Sequence, residues 1–375
     1  MLRDEPIYAR YPTNPDMATR GEQSPLTTHT VVDADVHLRI PLEDLADYCD
    51  EPYRSSIKNP TYTPVNRSGW DRYMGGNITK ESLPDAETLN EKVCEGFNVD
   101  YPIVNAFPVL ASVPESDKAV NMMYAYNDYL VEHYLDHYDH FRGLVSIATQ
   151  DPEAAAEEID RMADEDGIVG VYVLNSGAHL PLGNPDFDPV YRAAEDNGLH
   201  VAFHASAGAP FARDFPIQDN AIDRFAATHV LAHPWAHMLT LSSLIVNGTF
   251  EKFPDLNFTF LEAGVSWVPY MMFRWNKEYG MRRREAPLLE RSPEEYIRES
   301  CYFASQPIGE PNDPTHLRSI IDLIGTDRLM LATDYPHWDF DHPDALDGHL
   351  RRFYEPEDRE RVLSGTAGEA FGLDV

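Results

Sequence analysis

The chain has 375 residues, 43% of them apolar, enough to bury one large core or two modest ones. Sixty-three acids face thirty bases, a formal charge of −33 spread along the chain, which excludes the concentrated basic surface that nucleic-acid binding needs. No run approaches the roughly 20 apolar residues of a membrane span, the polar first thirty residues lack a secretory apolar core, and three scattered cysteines suggest neither a disulfide framework nor a thiolate metal site. A reducing cytoplasm fits. Self-repulsion on this scale is relieved when salt screens it, so the composition points to the cytoplasm of a high-salt organism.

In chain order, residues 1–29 read as a polar arm and 30–375 as one catalytic domain. Strand-like runs fall at 31–37 (VVDADVH), 101–107, 141–147, 168–174, 199–204, 256–262, 300–305 and 329–334. Most are short and apolar almost throughout, as suits a parallel sheet covered on both faces. Helical stretches separate them. Asp151-Pro152 offers a cap and first-turn proline before a run that Gly167 can end, and DPVYRAAEDNG closes at Gly198 in the same way. A further helix is expected over 237–253. Eight β-then-α units predict an α/β fold, a (β/α)8 TIM barrel, of about 250 residues before insertions. The surplus lies in an insertion or lid at about 50–95, after strand one, and in 208–250.

Such barrels place their chemistry at the C-terminal strand ends. Strand one ends Asp33-Ala34-Asp35-Val36-His37, and alternation puts Asp33, Asp35 and His37 on one face. Strand five ends at His204, strand six at Glu262 and strand eight at Asp334. Asp35, His37, His204 and Asp334 together offer two carboxylates and two imidazoles, a set suited to one divalent ion such as zinc or manganese, whose charge the two acids balance. A lone Asp at a strand end also serves as a helix cap, so the combination carries the weight. No phosphate-binding glycine loop and no G-x-S-x-G elbow is present, which sets aside nucleotide binding and a serine nucleophile.

The D-x-D-x-H start, the His204 strand, GTFEKFPDLNFTFLEAGVSWVP, YFASQP, IGTDRLMLATDYPHWD and VLSGTAGEAFGL together resemble the amidohydrolase-related family. This is the branch of the amidohydrolase superfamily that includes aminocarboxymuconate semialdehyde decarboxylase and γ-resorcylate decarboxylase. The resemblance runs from about residue 30 to the C-terminus. It implies a metal-dependent (β/α)8 barrel, often oligomeric and here expected to be a homodimer, acting on a small molecule. By position it matches Asp35 and His37 to the first-strand ligands, His204 to the fifth-strand ligand and Asp334 to the eighth-strand aspartate. Two departures stand out: Glu262-Ala263-Gly264 where many members have His then Gly, and Thr366-Ala367 where Asn-Ala is usual.

The expected reaction is non-oxidative decarboxylation of a small aromatic or unsaturated carboxylic acid. The alternatives are metal-dependent hydrolysis of an amide, lactone or related bond, and an inactive barrel serving as a binding subunit. Glu262, His337 and Asp334 are the candidate proton carriers, Glu262 on condition that burial tunes it towards neutrality; its alternative is a structural pair with Arg274 or Arg224. Arg39, Trp338 and His233 are the candidate substrate contacts. His229, His233 and His237 recur at helical spacing, so they share a face if that helix starts early enough.

Overall fold

The computed structural model describes residues 25–38, 40–58, 85–106, 110, 113–175, 180–205, 225–337 and 339–375. Eight parallel strands follow one another around the sheet in chain order. They are β1 (Val32–Leu38), β2 (Tyr101–Ala106), β3 (Arg142–Ser146), β4 (Ile168–Leu174), β5 (His200–His204), β6 (Phe258–Phe260), β7 (Cys301–Ala304) and β8 (Leu329–Met330). The ring closes where Ala34 N–H donates to Leu331 O at 3.0 Å, Asp334 N–H to Asp35 O at 2.8 Å and His37 N–H to Tyr335 O at 2.8 Å. Helices return between strands, so every strand is covered outside as well as inside. That is why β1 is buried over all seven residues, polar ones included.

The predicted punctuation holds where it rested on caps. Asp151 accepts from Ala154 N–H and Pro152 opens the helix Pro152–Met162. The helix Asp188–Asp196 gives way to Gly198, whose φ of 65° only glycine adopts readily. Two boundaries move. The helix expected over 237–253 begins earlier, at Phe225, runs to Val246 and breaks at Gly248 before a separate turn, Thr249–Lys252. Strand eight is regular over two residues only; from Leu331 the chain bonds to β1 through irregular contacts that re-aim Asp334.

Most of the polar arm lies outside the described residues. Its end does not hang free: Leu26 is fully buried, and Arg359 Nη1 sits 2.8 Å from His29 Nε2. Of the insertion at 50–95, residues 59–84 lie outside the described residues; the flanks are helical, with Tyr53–Lys58 and Ala86–Leu89. Among the described residues, no helix is long and apolar enough to cross a membrane.

Candidate metal centre and active site

Three chain segments deliver the four predicted ligands to one point at the C-terminal mouth. Asp35 and His37 stand two apart on β1, His204 ends β5, and Asp334 follows β8. One oxygen or nitrogen from each lies within 4.8 Å of those of the other three, and all four residues are buried. His37 Nε2 is 2.8 Å from Asp334 Oδ1 and 3.8 Å from Asp35 Oδ1, and His204 Nε2 is 3.8 Å from Asp35 Oδ2. The His37 and His204 rings meet edge to face, with centroids 5.0 Å apart.

These groups converge without satisfying one another. Asp35 Oδ2 and both ring nitrogens of His204 are buried and make no hydrogen bond; His204 Nε2 comes within 2.9 Å of Glu262 Oε2 without hydrogen-bond alignment. Buried polar atoms are rarely left so. Burial pushes the Asp35 carboxyl up to about 6, against the pull of His37 and His204. Burial, and then the charge of Glu262, drive Asp334 well above the ordinary carboxylate range. Burial is the first cause of both shifts, and a cation at this point would oppose it. The donor set, two imidazoles and two carboxylates, suits one divalent ion.

The backbone is strained where the acids turn in. Asp334 has φ of 63° and Glu262 φ of 50°, left-handed values that cost a non-glycine residue energy. Glu262 stands two residues beyond β6, not at its end. Its neighbour Gly264, at φ of 57°, approaches so closely that a β-carbon there would meet Pro307 O at 2.4 Å.

Glu262 does not behave as the sequence suggested. Burial alone would raise its pKa towards neutrality, but His233, His337 and His204 crowd around it and bring it well below the ordinary value. Those three imidazoles pull it towards the anion, against the near-neutral tuning on which a proton-carrying role was conditioned. Of its two suggested arginine partners, Arg274 pairs Glu278 on its own helix, and Arg224 lies outside the described residues. His337 shows the complementary shift. Burial lowers it, yet Asp334 and Glu262 together hold the imidazole well above its usual range, with Nδ1 2.9 Å from Asp334 Oδ2 and 3.3 Å from Glu262 Oε1.

The three helical histidines part company. His233 reaches the mouth, with Nε2 3.3 Å from Glu262 Oε1, and His229 Nε2 lies 3.4 Å from Asp339 Oδ2. His237 is structural. Its Nδ1 is 2.8 Å from Asn175 Nδ2, its Nε2 2.6 Å from Leu261 O, and its ring stacks on Trp267. Asp33, expected on one face with Asp35 and His37, is engaged elsewhere. The β1 register shifts between Asp33 and Val36, so strict alternation fails, and the Asp33 carboxylate instead accepts from Thr333 N–H at 2.9 Å and from Thr333 Oγ1 at 2.5 Å. It latches β1 to the segment after β8. Arg39 and Trp338 lie outside the described residues.

Asn105, at the end of β2, was missed: its Nδ2 donates to Asp35 Oδ1 at 2.6 Å and fixes that carboxylate. A polar residue inside the apolar run YPIVNAF was the available signal. Tyr172 was missed too; its ring lies 5.3 Å from that of His204.

An eight-stranded parallel barrel with a buried His/Asp cluster at its strand ends defines a barrel enzyme built around one divalent ion. The chain belongs to the amidohydrolase family, whose model matches residues 32–373. It is 26% identical over 322 residues to a γ-resorcylate decarboxylase of Rhizobium sp. (strain MTP-10005), covering 80% of this chain and 93% of that protein. Its fold is similar to that of 5-carboxyvanillate decarboxylase from Sphingomonas paucimobilis, with TM-score 0.69 and 20% identity over 92% of this chain and 99% of the other. The same holds for a dihydroxybenzoic acid decarboxylase from Polaromonas sp. JS666 with bound manganese and 2-nitroresorcinol, with TM-score 0.68 and 18% identity over 92% and 98% of the two chains.

Proposed function

We propose that this chain is a metal-dependent carboxy-lyase that removes CO₂, without oxidation, from a small aromatic or unsaturated carboxylic acid. The observation that carries the reading is the convergence of Asp35, His37, His204 and Asp334 on one buried point. These four side chains hold the ion, and Asn105 keeps Asp35 turned towards it. A divalent ion held there would supply Lewis-acid chemistry that stabilises negative charge developing on the substrate.

His337 supplies the proton. Asp334 and Glu262 keep its imidazole charged through Nδ1, so the proton that replaces CO₂ leaves from Nε2. The electron pair of the breaking carbon–carboxylate bond takes that proton, CO₂ departs, and His337 recovers a proton from solvent. Asp334 is thus both a ligand and the group that orients the acid. Hydrolysis would call on the same ligands, but the relatives above are decarboxylases, which favours the lyase. An inactive barrel is disfavoured because four ligands and the His337 imidazole all meet at the mouth.

The bound ion is proposed to be manganese or zinc, with the manganese in the Polaromonas structure supporting the former. A homodimer is proposed, supported by exposed Tyr270 and Phe273 on the helix Val268–Arg282 and by Val230, which is 71% exposed. A high-salt cytoplasm is proposed from the charge of −33. The thermal midpoint is expected to rise strongly from low to molar potassium chloride; a flat response removes that reading.

The test of the function is a panel of hydroxylated benzoates and unsaturated carboxylic acids, with amides and lactones alongside, given to manganese-loaded protein. Carbon dioxide release is scored separately from hydrolysis. Release from at least one acid is expected, and hydrolysis without any CO₂ overturns the proposal.

A further inference from the structure

The floor of the barrel, opposite the mouth, carries a groove that the chemistry above does not use. Its volume is about 760 Å³, within the range of small-molecule sites, roughly 300–1,000 Å³. It is built by the helix Asn90–Gly96, by Asp100 and Tyr101 where β2 begins, and by the loop at 138–140 before β3, with Asp374 beside them. β1 and β2 run from this floor up to Asp35, His37 and Asn105. The groove therefore lies roughly 20 Å from the ion site, the rise of six strand residues.

Glu95, Asp100 and Asp374 bring carboxylates to the groove, and none of the residues lining it is a lysine or an arginine. Glu95 Oε1 accepts from Asn90 Nδ2 at 3.1 Å, which turns Asn90 Oδ1 to His140 Nε2 at 3.0 Å. An amide oxygen only accepts, so the His140 proton sits on Nε2 and Nδ1 is left as an acceptor. Burial, with Arg142 beside it, lowers the His140 pKa, so the ring stays uncharged at neutral pH. The walls are aromatic, with Tyr101 and Tyr138 each half-buried. Tyr101 already carries the Arg142 guanidinium 5.2 Å from its ring centre, so this ring draws a cation within the fold itself.

Carboxylates beside aromatic faces, with no cationic side chain among them, are the recognition chemistry of an organic cation. A metal ion needs ligand atoms that converge on one point, and among the described residues no such group lies at this floor. Three carboxylates spread around one groove suit several linked ammonium groups better than one. We propose that this groove binds a di- or polyamine, its ammonium groups paired with Glu95, Asp100 and Asp374 and its alkyl chain laid on Tyr101 and Tyr138. Exposed ion pairs contribute little each, so the tyrosines and the walled shape supply the selectivity. Binding here does not depend on the reaction at the mouth.

The test is calorimetry of the full-length protein with spermidine in about 0.5 M potassium chloride, which screens the diffuse attraction of a chain of charge −33. Saturation at one spermidine per chain is expected. Glu95→Gln, which can still accept from Asn90, and Tyr138→Leu are each expected to weaken binding about fivefold or more. Tetramethylammonium, which has no N–H donor and a single charge, is expected to bind about tenfold more weakly than spermidine. Binding that never saturates, or that is unchanged in Glu95→Gln, overturns the proposal. So does equal affinity for tetramethylammonium, or displacement of spermidine by magnesium at the same concentration. If circular dichroism shows that Tyr138→Leu does not fold, Glu95→Gln decides alone, because Glu95 is exposed and its loss leaves the core intact. Carbon dioxide release is no part of this readout, so a failure of the carboxy-lyase reading leaves it untouched.

Discussion

Two histidines at opposite ends of β5 have opposite fates. His204, at the C-terminal end, faces Asp35 and Glu262 with ring nitrogens that make no hydrogen bond. His200, four residues earlier on the same face of the strand, sits at the barrel floor, with Nε2 2.5 Å from Thr259 Oγ1 and its ring against Tyr302 and Phe371. Around His200 the neighbours are neutral, so burial pushes its pKa down to about 3 and it stays an uncharged packing residue. Around His204 there are acids, and the burial that costs stability creates a place for a cation. The floor is where the barrel gains stability, and the mouth is where it gives some up.

The sharpest way to break this contrast is at the mouth. His204→Ala and Asp334→Ala are each expected to strip most of the bound metal, at least a tenfold loss, and with it all measurable turnover. Metal retained in both variants would sink the ligand assignment. Next comes His337→Asn, which keeps a polar side chain but cannot hold the proton. Its turnover is expected to fall about 10² to 10⁴-fold while one ion per chain remains in the Asp35 cluster. Near-normal turnover would remove His337 from the chemistry.

Asn105→Ala acts one step further out. It leaves every ligand in place but releases Asp35 Oδ1, and metal affinity is expected to weaken by about 10 to 100-fold. Affinity that does not change would show that the Asp35 orientation is set elsewhere.

The floor gives the smallest effect, read as a pH dependence of stability. An unfolded histidine titrates near 6.5, whereas folded His200 resists protonation down to about 3. Below pH 6.5 the unfolded chain therefore binds a proton that the folded chain does not. Stability present at neutral pH is lost as pH falls from 6.5 towards 3, and at pH 5 this residue contributes about 2 kcal/mol of the loss. Urea unfolding at pH 7 and pH 5 is expected to show a smaller drop for His200→Gln than for the unaltered chain. Equal drops would mean that His200 is not held neutral by its surroundings.

Much of the fold could be read because its signals are local. The Asp151 cap and the glycine after Asp188–Asp196 depend on a few adjacent residues and held, whereas the helix expected to run to Gly167 stops at Met162. The four ligands were legible for a related reason: parallel barrels put strand C-termini at one mouth, so a polar residue ending an apolar run is conspicuous. Asp33 was misread because a register shift in β1 breaks the two-residue alternation, and nothing local announces that shift. The charge state of Glu262 was not legible because it depends on His233, His337 and His204, which arrive from three other segments.

The amino-acid sequence by itself determined the number and order of strands, the barrel they form, and the residues that end strands one, five and eight. Periodicity, caps and chain-order topology are short-range properties, and a right-handed β/α repeat leaves few ways to arrange them. Only the tertiary structure decided that Asp33 is a latch, that Asn105 aims Asp35, that His229 and His233 reach the mouth while His237 does not, and that Glu262 lies among imidazoles. Each of those outcomes is set by the distance between segments far apart in the chain. Electrostatic and hydrogen-bond energies depend on that distance and on burial, and neither exists until the barrel has closed.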